Sequence, residues 1–163
     1  MKSQKSTDID TLLKGVKVVY WTDCDGNRDK HYKVHSKINP ELWDRIEKIW
    51  GEDWVQMRDV VIGNDYELDG CYATVPEKTW LNMVEQLKER LFIVYMKVRE
   101  WNGEVRPYCW KVWCEREQDA IDDAGPDRPE VVSFEIFEAE HNEAHRFMGA
   151  WQIYNELNQK IKA

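Results

Sequence analysis

Catalytic signatures are scarce in this chain of 163 residues, which contains no G-x-G-x-x-G, no G-x-x-x-x-G-K-[ST] and no G-x-S-x-G. That removes the glycine-rich phosphate cradles and the nucleophile elbow as sources of activity. The four cysteines (Cys24, Cys71, Cys109, Cys114) form no C-x-x-C pair, which excludes a zinc ribbon and a redox dithiol. Cys109 and Cys114 are five positions apart, so on one strand they point to opposite faces and cannot bridge. No apolar run approaches the roughly 18 residues that would span a bilayer. The start, MKSQKSTDIDTLLKG, has no apolar centre or small-residue cleavage site, so the expected compartment is the cytoplasm. Positive charge is also short: 23 Lys and Arg stand against 31 Asp and Glu, a net charge of −8. Direct binding to nucleic acid or anionic lipid is therefore disfavoured, because such affinity is built from Lys and Arg contacts to phosphate. No cofactor is expected.

What is abundant is tryptophan, with nine residues. Most must serve a core, yet so many leave room for one or two at a binding surface. A chain of this length can bury roughly two thirds of its unfolded surface and needs no disulfide or metal to hold together.

Along the chain, residues 1–14 read as a flexible segment. VKVVYWTDCDGNRDKHYKVHS reads as a hairpin about Asp25-Gly26; a two-residue turn there would set Val19 opposite Tyr32 and Asp23 opposite Arg28. NPELWDRIEKIWG reads as a helix capped by Asn39, with Pro40 in its first turn and Gly51 at its end. Short strands are expected at DVVIG and CYATV. TVPEKTWLNMVEQLKER reads as a second helix, with Thr74 and Glu77 spaced as a capping box. A long hairpin turns at Asn102-Gly103, and residues 115–130 form an acidic loop. VVSFEIF is a last strand, and Glu138 onward reads as one long helix with the stripe Ala144, Phe147, Met148, Trp151, Tyr154, Leu157 and Ile161. The order predicts a single α+β domain over 15–163: a mainly antiparallel sheet of about five to seven strands packed with three helices, including the long C-terminal one.

Several side-chain groups invite a chemical reading. On a helix, Glu138, His141 and His145 would fall within about 60° of one face, the spacing used in carboxylate-bridged metal centres. Those centres need the motif on two helices, and only one helix here offers it. Asp23, Asp25, Asn27 and Asp29 alternate in an oxygen-rich loop, but an EF-hand needs glycine where Arg28 stands and glutamate where Val34 stands. His31 and His35 share one face of a strand without an acid or serine at a telling distance in sequence. At the second hairpin, a two-residue turn would place Trp101 opposite Glu104 and Arg99 opposite Arg106. Facing arginines repel unless a carboxylate or an anion sits between them. Pro107 suits an edge strand there.

These observations favour a non-enzymatic, acidic interaction module: an inhibitor, an immunity or antitoxin-like protein, or a mimic of nucleic-acid charge, bound to another protein with a basic surface. Arg99, Trp101, Glu104 and Arg106 are the candidate anchor, and Asp119, Asp122, Asp123 and Asp127 the candidate steering charges. Two other readings are open: a small metal-dependent hydrolase using Glu138, His141 and His145, and a single-strand nucleic-acid binder using the 95–113 hairpin.

Overall fold

Gly26 and Gly103 take φ of 86° and 87°, a region closed to most side chains, and each ends a three-residue hairpin loop. In the first, the Asp23 amide donates to the Asn27 carbonyl at 2.9 Å and the Gly26 amide to the Asp23 carbonyl at 3.1 Å. In the second, the Glu100 amide donates to the Glu104 carbonyl at 2.7 Å and the Gly103 amide to the Glu100 carbonyl at 2.9 Å. Such a loop absorbs one more residue than the two-residue turn expected at each Asx-Gly pair. Both strand registers therefore sit one residue from expectation. Val19 faces His31, and Thr22 rather than Asp23 faces Arg28.

The computed structural model describes the backbone of residues 9–57 and 59–162, with side chains through 159. The described chain is α+β with antiparallel pairing throughout. It gathers into two compact units, Met1–Leu87 and Lys88–Ala163. The seven strands of the described residues divide into a sheet of four and a sheet of three, where one sheet was expected. Among the described residues six α-helices and one 3₁₀ turn stand where three helices were expected.

In the first unit, helix α1 (Ile9–Leu13) precedes strands β1 (Lys17–Thr22) and β2 (Arg28–His35), then helix α2 (Pro40–Trp50) and a 3₁₀ turn (Glu52–Gln56). Strands β3 (Val61–Asp65) and β4 (Gly70–Pro76) and helix α3 (Glu77–Lys88) complete it. The strand order is β1-β2-β4-β3. Alternation sends Val34, Ala73 and Val75 to one face, where they join Leu42, Ile46 and Ile49 of α2, Trp54, and Trp80, Met83 and Leu87 of α3 in one core. Ile9 belongs to that core, so part of the segment read as flexible is a packed helix; residues 1–8 lie outside the described residues. Two expected caps differ. The Asn39 side chain does not cap α2 but accepts the His35 amide at 2.9 Å. Thr74 lies inside β4, so no capping box forms.

In the second unit, β5 (Arg90–Arg99) is the central strand between β6 (Val105–Cys114) and β7 (Val131–Ala139). Helices α4 (Glu117–Ala124), α5 (Glu143–Phe147) and α6 (Ala150–Lys162) follow the chain order. Leu91, Ile93 and Ala139 pack with Ile153, Tyr154 and Leu157 of α6, while Val94 and Met96 on the opposite face pack with Ala124 of α4. The single long helix expected from Glu138 is instead the end of β7, a loop, and two helices. Asn142 starts α5 by accepting the His145 amide at 2.7 Å, and Lys111 ends it by donating to the carbonyls of His145, Arg146 and Met148 at 3.0–3.2 Å. The restart at Ala150 turns the expected stripe: Phe147 is 78% and Trp151 44% exposed, whereas Ile153 is fully buried. The Ile161 side chain lies outside the described residues.

Candidate functional site

The β5–β6 hairpin places Trp101 at its apex, 96% exposed. The loop beneath it is closed by the two backbone bonds at Glu100 and by the Glu104 amide donating to Asn102 Oδ1 at 3.0 Å. The Tyr108 hydroxyl donates to Glu100 Oε1, a bond that also holds the phenol above its ordinary pKa. A large apolar ring thus projects from a backbone tied by hydrogen bonds.

The revised register changes the charges around that ring. Arg99 pairs with Val105 and Arg106 with Val98, so the two guanidiniums point to opposite faces of the ladder and the expected repulsion is absent. Arg106 lies 3.6 Å from Glu104, an exposed pair worth little to stability. The Arg99 amide donates to the Glu130 carbonyl at 2.7 Å, and its side chain is exposed.

The expected acidic loop at 115–130 holds a helix. Ala120 and Ala124 form its buried side, and Gly125, with φ of 63°, ends it. Arg116 donates to both carboxylate oxygens of Asp119, at 2.8 and 3.2 Å, and Gln118 donates to Asp122 at 2.8 Å. Arg128 folds back onto the carbonyls of Gly125 and Ala124 at 3.0 and 3.1 Å. Asp122, Asp123 and Asp127 are exposed, while Asp119 is half-buried and neutralised by Arg116. Through Glu130 and Arg128, the segment carrying Asp127 is held along β5 near Arg99 and Met96.

The proposed metal trio is dispersed by the break in the last helix. Glu138 lies in β7 and forms a two-bond pair with Arg90 at 2.7 and 2.8 Å. His141 Nδ1 lies 3.0 Å from the Glu89 carbonyl, and His145 Nδ1 lies 2.7 Å from the Glu140 carbonyl. Among the described residues no three His, Cys, Asp or Glu side chains gather to hold a metal ion. Asp23 and its neighbours serve the first turn, since Asp23 Oδ1 accepts the amides of Asp25 and Asn27 at 2.9 Å each.

His35 Nε2 lies 2.9 Å from Asp65 Oδ2, the arrangement of a base with its orienting acid. Its Nδ1, however, accepts the Lys37 amide at 2.9 Å, so Nε2 carries the proton and neither nitrogen is free to take one from a substrate. Asp65 is bonded at its other oxygen by the amides of Glu67 and Leu68 at 3.0 and 3.1 Å. The Leu68 amide foremost, then the His35 contact, hold this carboxyl below its ordinary range. The pair pins β3 to the end of β2.

Sequence reasoning passed over the face of the four-stranded sheet opposite its helices. There Trp21 stacks on His31 with ring centroids 4.6 Å apart, and Lys33 Nζ stands 4.5 Å from the Tyr72 ring centroid. Tyr72 lies flat over Gly63, where a Cβ would collide with its ring. Alternation within each strand puts Lys17, Val19 and Trp21, then His31 and Lys33, then Tyr72 and Thr74 on single faces, but only cross-strand pairing shows that these faces coincide.

No helix of the described residues is long and apolar enough to cross a membrane. Neither a protein-family model, nor a curated protein, nor a solved structure matches this chain.

Proposed function

We propose that the chain is a non-enzymatic, acidic protein-binding module whose anchor is the β5–β6 hairpin tip. The observation that carries this reading is Trp101, 96% exposed on a loop closed by backbone hydrogen bonds. Tryptophan and arginine dominate interface hot spots, and Arg99 and Arg106 flank it. Asp122, Asp123 and Asp127 supply exposed negative charge on the same unit, which suits a partner with a basic surface and speeds encounter with it. An inhibitor, an immunity or antitoxin-like protein and a charge mimic of nucleic acid all fit this description. In each case the acidic side chains steer and the indole is buried on docking.

The test is affinity capture from native lysate with and without nuclease, repeated with Trp101→Ala. A stoichiometric protein that survives nuclease and is lost, or weakened by more than about fivefold, in the variant supports the reading. Capture that is equal for both chains, or that vanishes with nuclease, overturns it. Circular dichroism of Trp101→Ala should match the parent, because the side chain has almost no packing to lose.

A further inference from the structure

The hairpin reading leaves the open face of the four-stranded sheet without a role. That face carries a hollow of about 530 Å³, inside the ~300–1,000 Å³ range of small-molecule sites. Three independent features of its lining point to one kind of ligand.

The first is an aromatic platform. Trp21 lines the hollow and stacks on His31 with an interplanar angle of 16°, yet it stays 42% exposed. One face of the indole is therefore backed by a ring, and the other can receive a second planar group.

The second is a pair of cations. Lys33 also lines the hollow, and the β1–β2 register sets it directly opposite Lys17 on the same face. Like charges directly opposite destabilise a ladder, and among the described residues neither ammonium is ion-paired. An anion between them would turn that repulsion into attraction.

The third is an unsatisfied polar atom. Thr74 lines the hollow at 3% exposure, and its hydroxyl has no hydrogen-bond partner among the described residues. A buried hydroxyl left in that state costs free energy that a ligand donor or acceptor would recover.

The acids of the lining do not oppose an anion equally. Asp65 already accepts from His35, Glu67 and Leu68, so its charge is largely answered. Glu67 is exposed and suits the amino or hydroxyl donors of a base or sugar.

We propose that this hollow binds a nucleoside phosphate, with the base stacked on Trp21 and the phosphate held by Lys17 and Lys33. Trp21 and Lys17 are about 13 Å apart at their Cα atoms on an extended strand. The indole, leaning onto His31, and the lysine arms shorten that gap to the reach of one nucleotide. Charge selects a free nucleotide over a long strand, because every further phosphate would add repulsion from a chain of net charge −8.

Isothermal titration of the full chain at low salt tests this, using AMP, GMP, CMP and UMP beside adenosine and inorganic phosphate. At least one mononucleotide should bind saturably, and about tenfold or more tighter than adenosine or phosphate alone. Trp21→Ala and Lys33→Gln should each weaken it by about tenfold. Trp101→Ala should leave it unchanged, which separates this site from the hairpin. Because Trp21→Ala uncovers His31, Lys33→Gln and Lys17→Gln with unchanged circular dichroism keep the test decisive if the first variant misfolds. Absence of mononucleotide binding at millimolar concentration overturns the proposal, as does binding indifferent to these variants. A ten-nucleotide single strand that binds far tighter, with a salt dependence of several phosphates, overturns the choice of a free nucleotide.

Discussion

Replacing Gly103 with alanine isolates the backbone cost of holding Trp101 in place. A Cβ built at Gly103 meets nothing within 4 Å, so no steric clash contributes. What remains is the left-handed conformation, φ 87°, which costs an L-residue about 1–2 kcal/mol. Asn102 is the control. In a two-residue type I′ turn it too would need positive φ, but among the described non-glycine residues only Asp59 and Asp69 have it. Asn102→Thr, β-branched yet still able to accept the Glu104 amide, should therefore cost less than about 0.5 kcal/mol. Urea denaturation of the full chain, followed by circular dichroism, reads both. With a slope of about 2 kcal/mol per molar, Gly103→Ala should lower the midpoint of the hairpin's unit by about 0.5–1 M. The reasoning fails if Gly103→Ala loses less than about 0.3 kcal/mol, or if Asn102→Thr loses as much as Gly103→Ala.

Two further outcomes test the packing of the second unit. Ile153→Ala should cost about 2–5 kcal/mol, and Trp151→Ala clearly less, because the first residue is fully buried and the second 44% exposed; the reverse order in denaturation would mean that α6 packs by another face. At pH 8, iodoacetamide should label exposed Cys24 and spare Cys109, whose thiol burial pushes up to about 11; a mass spectrum showing native Cys109 alkylated at the rate of Cys24 would refute that environment.

Periodicity together with turn and terminator residues locates α2, α3 and both hairpins, and the apolar run VVSFEIF locates β7. Leu42, Ile46 and Ile49 are buried as their spacing requires, and so are Trp80, Met83 and Leu87. What failed was local and recurrent. An Asx-Gly pair marks a turn but does not count its residues; here the glycine ends a three-residue loop, and every cross-strand partner moves by one. Residues 115–130 read as a loop because seven acids stand against two arginines, with a glycine and two prolines among them. Yet Ala120 and Ala124 at i, i+4 with Gly125 behind them are a helix with a small buried side, and its acids are answered at i, i+3 by Arg116 and at i, i+4 by Gln118. The last helix was overextended because Ala144, Phe147 and Trp151 keep helical spacing across Met148 and Gly149, where the chain in fact breaks. The tip that carries Trp101 is exposed, and the register around it differs by one residue from the one expected, which separates Arg99 from Arg106. The open sheet face required contacts between strands far apart in sequence, which no single stretch displays.

The bonded pair at Glu100 and Glu104 and the Arg99 amide on Glu130 fix which β6 groups look outward. Pairs alternate from the loop, so Pro107, opposite Lys97, turns its nitrogen away from β5 and toward the outer margin of the sheet. That margin would otherwise be a template for strand addition, by a second copy or by an extended peptide, and the proline leaves a gap in its row of donors near the tip. A strand added along this margin would therefore meet a missing donor beside the hairpin tip. Crowding the protein in solution should not, by that route, string it into fibres.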